Sequence, residues 1–187
     1  IAASDGKLLW RYDRPSNGMG INCSTPVYSD GLVFAASAYG AGGGLVKLQK
    51  DGKGGIKAEE VYFHDYRHFA NHHGGMILLG DYLYGGDGQN NGALSCLELK
   101  TGKLMYKEKP LGSRSACVLY ADGQLYYRYE NGLVALVDAT SEGLKVKGKF
   151  MAEAAKNGPN WPHPVIHDGK LYLRNHDVLM CYDVRQQ

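Results

Sequence analysis

The feature that most constrains this chain is a short pattern that recurs four times. Each copy has a polar lead-in, an apolar run, a tight turn with aspartate beside glycine, and a second apolar run. The copies occupy residues 22–34, 71–85, 114–126 and 161–172. Apolar runs on either side of such a turn predict a β-hairpin.

The turn aspartates set the repeat length. Asp30, Asp81, Asp122 and Asp168 lie 51, 41 and 46 residues apart. A repeat of this length with several short strands is typical of a β-propeller or a similar array, in which each unit buries its faces against its neighbours. We therefore predict an all-β fold, a β-propeller of four-stranded antiparallel blades, with about four blades in this chain.

The repeats define one partial propeller domain over residues 1–187. We expect blades at 22–63, 72–108, 114–150 and 161–184, the last with only three strands. Residues 1–13, with a strand at 8–12, are expected to end a preceding blade or to close the last one. A closed four-bladed ring and part of a ring of about eight blades both remain open, and the start in mid-repeat favours the larger ring. An alanine-rich stretch at 151–156 indicates a single helical turn.

Composition excludes some functions. The formal net charge is only +2, which gives no large field and argues against a nucleic-acid partner. No apolar run approaches the roughly 20 residues that span a bilayer, so no transmembrane segment is predicted. The four cysteines include no CxxC pair, which argues against a zinc ribbon or a redox motif. We expect all four to be small buried hydrophobic side chains.

Polar residues concentrate in loops that should meet. In a four-stranded blade, the loops leading into the first strand and those between the second and third strands lie at one end of the propeller, here called the axial face. Convergent polar groups at such a mouth predict a binding site. The candidate ligand-binding or cofactor-binding residues are His64, Arg67, His68, Asn71, His72, His73, Arg114, Trp161, His163 and His176.

Two groups of residues raise the question of a metal. His72 and His73 are adjacent, and adjacent strand residues point to opposite faces, so they should not share a metal while both are extended. Hydrogen bonding to loop carbonyls is the favoured interpretation, with a metal-binding or catalytic role as the alternative. Weak calcium candidates are Asp87, Gln89 and Asn91, which place oxygen atoms at alternate positions. A glycine-rich turn with side-chain hydrogen bonds is the favoured interpretation of that segment.

A family resemblance enters with residues 97–106. Leu97, Glu98 and Leu99, followed by residues 101–106, resemble the tryptophan-docking signature of pyrroloquinoline-quinone-type propeller repeats. Glu98 stands where that signature has aspartate, and Tyr106 stands where it has tryptophan. Residues 5–10 match its second half and keep the tryptophan, Trp10. The resemblance implies that the aromatic residue packs between neighbouring blades.

Within that family, the chain resembles the exported bacterial quinoprotein-like, or polyvinyl-alcohol-dehydrogenase-like, branch. Residues 71–75 and the segments 171–174 and 181–183 carry this resemblance. It implies an exported or periplasmic location and, for enzymes of the family, pyrroloquinoline quinone and calcium on the propeller axis. The adjacent cysteine pair of such enzymes is absent from this sequence. The non-catalytic branch, which includes the propeller lipoprotein of outer-membrane assembly, is the closer expectation.

Three functions follow as hypotheses. The first is a non-catalytic domain that binds a small molecule, a polysaccharide or a protein at the propeller axis. The second is a quinone-dependent alcohol dehydrogenase, with His72, His73 or His163 as the catalytic candidates. The third is a carbohydrate-binding or polymer-binding module that uses Tyr66, His68 and Trp161 as stacking surfaces.

Overall fold

The computed structural model describes residues 1–152 and 160–185, and β-strands in these ranges form four antiparallel sheets. Each sheet takes consecutive strands in chain order, so each sheet is one blade. The predicted all-β fold of antiparallel blades is confirmed. Within the described ranges, no helix has the length and apolar character needed to cross a membrane.

Blades 1 and 2 each contain four strands. Blade 1 consists of β1 (Val27–Ser29), β2 (Leu32–Ser37), β3 (Gly42–Lys50) and β4 (Ile56–Asp65). Blade 2 consists of β5 (Asn71–Leu79), β6 (Tyr82–Asp87), β7 (Ala93–Glu98) and β8 (Leu104–Glu108).

Blade 3 has four strands, and blade 4 has three among the described residues. Blade 3 consists of β9 (Ala116–Ala121), β10 (Gln124–Tyr129), β11 (Leu133–Asp138) and β12 (Val146–Met151). Blade 4 consists of β13 (Val165–His167), β14 (Lys170–Asn175) and β15 (Val178–Asp183). Met151 ends β12, and residues 153–156 of the expected helical turn lie outside the described residues.

Two-residue turns join the first two strands of every blade. Asp30, Asp122 and Asp168 adopt left-handed φ angles of 48°, 49° and 48°, and each is followed by a glycine with positive φ. Two consecutive positive φ angles are those of a type I′ hairpin turn, whose twist matches that of the strands it joins. In blade 2 the order is reversed and only Gly80 has a positive φ, as in a type II′ turn.

The hydrophobic core lies between neighbouring sheets, because a single sheet cannot bury its own faces. Between blades 1 and 2 the buried cluster is Phe34, Ala36, Leu45, Phe69, Met76, Leu83, Leu97 and Leu99. Between blades 2 and 3 it includes Tyr84, Leu94, Cys96, Tyr106, Val118, Leu125 and Tyr127. Val134 of blade 3 packs with Leu171 and Leu173 of blade 4. Tyr106 therefore packs between two blades.

The strand expected at 8–12 is not formed. A strand needs a neighbouring backbone for its hydrogen bonds, and no described strand forms such backbone hydrogen bonds with this segment. Side-chain contacts hold the segment against β4 instead. The Tyr12 hydroxyl donates to Glu60 Oε2 over 2.7 Å. The Arg14 guanidinium lies 4.2 Å above the ring of Phe63.

Candidate functional site

A bulge near the start of β5 sets the geometry of the site. Between two paired positions of β5 and β6, the four residues 72–75 lie opposite Gly86 alone. The alternation of side chains between two faces is therefore interrupted. The prediction that His72 and His73 point to opposite faces is wrong, because their ring centroids lie only 4.7 Å apart.

Two glycines bring this bulge close to the neighbouring blade. Gly75 has a φ of +71°, a conformation that side chains disfavour. A Cβ atom at Gly74 would collide with the carbonyl oxygen of Ala116, at the start of β9. The absence of a side chain at Gly74 therefore allows the backbones of blades 2 and 3 to approach each other beside the two histidines.

His72 connects three blades through hydroxyl groups. Its Nδ1 lies 2.6 Å from Ser115 Oγ, just before β9 of blade 3. Its Nε2 lies 2.8 Å from the hydroxyl of Tyr39, in the turn that follows β2 of blade 1. Tyr39 is held there by a left-handed φ of 57°.

The neighbouring hydrogen bonds fix the His72 tautomer. The backbone N–H of Ser115 donates to Asn90 Oδ1 over 3.1 Å, so that atom must be an oxygen. Since an amide oxygen only accepts, the Ser115 hydroxyl also donates to it, over 2.8 Å. Ser115 Oγ is then left to accept a proton from His72 Nδ1. Nε2 of the neutral ring consequently accepts a hydrogen bond from Tyr39.

Burial favours that neutral form. Burial first, and then the neighbouring His73, lower the pKa of His72 below its usual value, while Glu130 opposes the shift. A histidine with a lowered pKa keeps a nitrogen lone pair at neutral pH, and this lone pair can accept a proton or bind a metal ion.

His73 pairs with a carboxylate from blade 3. His73 Nε2 lies 3.1 Å from Glu130 Oε1, and the two side chains are only 11% and 4% exposed. Glu130 follows β10 directly and also faces Arg114, whose Nη1 lies 3.8 Å from Oε2. Glu130 is not among the sequence candidates. Its position in the loop between the second and third strands of blade 3 is the signal that assigns it to the axial face.

Blade 4 contributes residues on the other side of His73. His163 Nε2 donates to the backbone oxygen of His73 over 3.0 Å. The Trp161 ring lies 5.4 Å from the His73 ring, and the tryptophan side of this contact is open to solvent. The structure therefore brings together five of the sequence candidates, namely His72, His73, Arg114, Trp161 and His163.

Three other candidates lie in β4, the outer strand of blade 1, or in the turn directly after it. His64 was expected on a loop over the axial face, but it belongs to β4, and its Nε2 donates to the Gly102 backbone oxygen over 2.7 Å. The extra length of β4 accounts for this difference. His68 is exposed and pairs with Asp65 at 3.1 Å. Arg67 lies over the ring of Tyr66.

Asn71 and His176 also lie outside the cluster. Asn71 is fully buried, and its Oδ1 accepts a hydrogen bond from Ser24 Oγ over 2.5 Å, which connects blade 2 to the lead-in of blade 1. His176 is exposed in the turn between β14 and β15, with a left-handed φ of 53°. Its backbone oxygen accepts a hydrogen bond from Arg174 Nε.

The weak calcium candidates do not share a centre. Asp87 is buried, with Oδ2 2.6 Å from Lys107 Nζ and Oδ1 accepting from the Ala70 N–H. Burial raises the pKa of Asp87, and the hydrogen bond to Lys107 opposes the shift. Gln89 Oε1 accepts from Gly40 N, and Asn91 Oδ1 accepts from Ala93 N. Donors from the protein itself therefore occupy these oxygens.

The comparison with solved structures supports the fold, whereas the two other comparisons found no match. No protein-family model matches the sequence, and no curated protein matches it. Among solved structures, BamB from Moraxella catarrhalis superposes with a TM-score of 0.57 at 14% identity, covering 86% of this chain. This match spans 43% of BamB, so the chain corresponds to less than half of that protein's length. The computationally designed Ika4 protein superposes with a TM-score of 0.58 at 9% identity, over 96% of this chain and 99% of Ika4. The chain has a β-propeller fold.

Proposed function

We propose that this chain is a non-catalytic, quinoprotein-like β-propeller domain of an exported bacterial protein, which binds a ligand or a protein partner at its axial face. The bound species is a small molecule, a polysaccharide or a protein.

One observation carries the proposal. All four blades contribute to a single cluster of polar side chains at the axial face. Tyr39 of blade 1 contacts His72 of blade 2, which contacts Ser115 of blade 3. The backbone oxygen of His73 in blade 2 accepts a hydrogen bond from His163 of blade 4. Convergent polar groups beside the exposed aromatic ring of Trp161 form a surface suited to ligand recognition.

The residues do not fit the calcium ion of the quinone-dependent enzymes. Calcium binds six to eight oxygen ligands, whereas the cluster offers two imidazoles and one carboxylate. Asp87, the strongest oxygen candidate elsewhere, already faces the ammonium group of Lys107.

The proposal includes the place of this chain in a larger ring. That ring contains about eight blades, of which this chain supplies those at 22–63, 72–108, 114–150 and 161–184. One observation supports this number, since the chain spans 43% of BamB.

Site-specific photocrosslinking in the native host tests the proposal. A photoreactive amino acid replaces Trp161 on the axial face or, as the matched control, exposed His167 at the opposite end of blade 4. Mass spectrometry of the intact protein then detects a bound protein, polysaccharide or small molecule. We expect an adduct at position 161 and none at 167. An adduct at 167 alone, or at neither position, would contradict the proposal.

A second measurement separates this proposal from the enzymatic alternative. Pyrroloquinoline quinone and calcium are added to the purified chain, and dye reduction with alcohols is followed. We expect no reduction above that of a protein-free control. Reduction that disappears in His73→Ala would instead establish a quinone-dependent dehydrogenase.

A further inference from the structure

We propose that His72, His73 and Glu130 bind a divalent transition-metal ion of the Zn²⁺ type at the junction of blades 2 and 3. This inference goes beyond the proposed function, since ligand or partner binding at the axial face does not require a metal.

The donor set matches such an ion. One nitrogen or oxygen from each of the three side chains lies within 4.8 Å of the others. Ligands at about 2.0–2.1 Å from a tetrahedral zinc ion lie roughly 3.4 Å apart. Two imidazoles and a carboxylate suit zinc and its neighbours and suit calcium or magnesium poorly.

The surroundings of His72 suit a metal ligand. A metal-bound imidazole coordinates through one nitrogen and donates its other N–H to an acceptor that fixes the ring. Both nitrogens of His72 already face hydroxyl oxygens, those of Ser115 and Tyr39. Because Nδ1 donates to Ser115 Oγ, Nε2 is the nitrogen that would bind the metal, in place of its hydrogen bond from Tyr39.

His73 supplies a second, independent observation. Its Nδ1 is buried and has no hydrogen-bond partner among the described residues. A buried polar atom without a partner is costly, and such atoms in native proteins commonly mark a bound ion or water. The unpartnered nitrogen belongs to the residue that already pairs with Glu130.

Charge at the site also favours a cation. The Glu130 carboxylate is almost fully buried, and the nearest arginine, Arg114, is 67% exposed with its Nη1 3.8 Å away. An exposed guanidinium at this distance compensates a buried carboxylate only weakly. Three protein ligands leave one position of a tetrahedral ion open, for water or for a donor group of the bound ligand.

Titration with Zn²⁺ and with Co²⁺ tests the site on the chain without a polyhistidine tag. We expect calorimetry to show about one high-affinity Zn²⁺ per chain and Co²⁺ to give the visible bands of a four-coordinate centre. Glu130→Gln keeps the size of the side chain and should weaken Zn²⁺ binding at least tenfold. His68→Gln, which removes an exposed imidazole outside the cluster, should bind as the wild type does.

Two results would overturn the site. One is equal Zn²⁺ affinity in the wild type and Glu130→Gln, and the other is a loss of binding in His68→Gln. If Glu130→Gln fails to fold by circular dichroism, X-ray absorption on the zinc-loaded wild type decides. A zinc ion with two imidazole ligands supports the site, and a zinc coordination shell with fewer than two imidazoles contradicts it. Either negative result leaves the photocrosslinking test at position 161 unaffected, so the two proposals fail separately.

Discussion

The guanidinium of Arg128, in blade 3, donates a hydrogen bond over 2.7 Å to the backbone oxygen of Arg174, in blade 4. A second nitrogen of the same group donates over 2.8 Å to the Pro162 oxygen. Arg128 is only 1% exposed, and burial lowers its pKa. This side chain therefore holds the lead-in of blade 4, which carries Trp161 and His163, against blade 3.

Replacement of Arg128 should destabilise the propeller. Arg128→Leu keeps an apolar stem but removes two part-buried hydrogen bonds from a charged group, worth about 1.5–3 kcal/mol each. We expect the free energy of unfolding to fall by about 2–4 kcal/mol in urea denaturation. Arg185→Leu, which removes an exposed ion pair with Asp183, should change it by less than about 1 kcal/mol. Equal effects of the two changes would contradict this role for Arg128.

Gly74 should be essential to the contact between blades 2 and 3. The methyl group added in Gly74→Ala collides with the carbonyl oxygen of Ala116. Because this oxygen belongs to the backbone, it is unable to rotate away as a side-chain atom can. We expect a loss of about 2–4 kcal/mol of stability, measured by thermal and urea unfolding. The control is Gly148→Ala in β12, where no atom lies within 4 Å of the added Cβ. Gly148→Ala should leave the free energy of unfolding unchanged or raise it by up to about 1 kcal/mol. A neutral Gly74→Ala would show that the two blades are not packed this closely.

The buried pair of Lys107 and Asp87 should contribute far more to stability than an exposed ion pair does. Lys107→Met removes the counter-ion of a fully buried carboxylate, and such losses cost about 3–5 kcal/mol. Lys100→Met, which breaks the exposed pair with Asp81, should cost at most about 1 kcal/mol. Urea denaturation of both variants at neutral pH gives the comparison.

The effect of Lys107→Met should depend on pH. Burial raises the pKa of Asp87 above its unfolded value of about 4. Its contribution to stability is therefore greatest below that pH and declines as the pH rises through the folded-state pKa. Without Lys107, the charged form of Asp87 is destabilised further. The loss of stability in Lys107→Met should therefore be smaller near pH 4 than near pH 8. A loss that is independent of pH would contradict the burial of this carboxylate.

The four cysteines should separate into two classes. Cys96 and Cys117 are buried, whereas Cys23 and Cys181 are exposed. Burial raises the pKa of Cys96 to about 11 and that of Cys117 to about 12, so both remain protonated and unreactive.

A thiol reagent at about pH 8 should therefore modify Cys23 and Cys181 in the native protein, and all four cysteines in denaturant. Cys23→Ser and Cys181→Ser should each remove one reactive group. Rapid native modification of Cys117 would contradict the packing of blade 3.

Sequence patterns determine local structure here better than they determine contacts. Asp30-Gly31 and its equivalents predict the hairpin turns because only a few residue types adopt positive φ. The expectation that all four cysteines are buried is wrong for Cys23 and Cys181. The repeat pattern predicts the position of a residue along a strand, but not whether another blade covers that residue. Cys181 lies on β15, which no described strand covers on its outer side.

The sequence predicts where the two adjacent histidines lie within a blade but does not predict their partners. The position of His72 and His73 before an apolar run places them in the lead-in to a first strand. The rule of alternation then failed, since residues 72–75 bulge out of the strand pairing. A bulge depends on how closely Gly74 approaches Ala116 in another blade, which is a property of tertiary packing. The sequence does not predict the role of Glu130, because no local pattern connects a single glutamate after a strand to a histidine 57 positions earlier.

Anomalous X-ray diffraction from crystals grown with Zn²⁺ tests the central claim that blades 2 and 3 together assemble one metal-binding cluster. Data collected on both sides of the zinc absorption edge should show a peak about 2.0–2.2 Å from a nitrogen of His72, a nitrogen of His73 and an oxygen of Glu130. Zinc bound only elsewhere, or His72 and His73 rings directed away from each other, would contradict the claim.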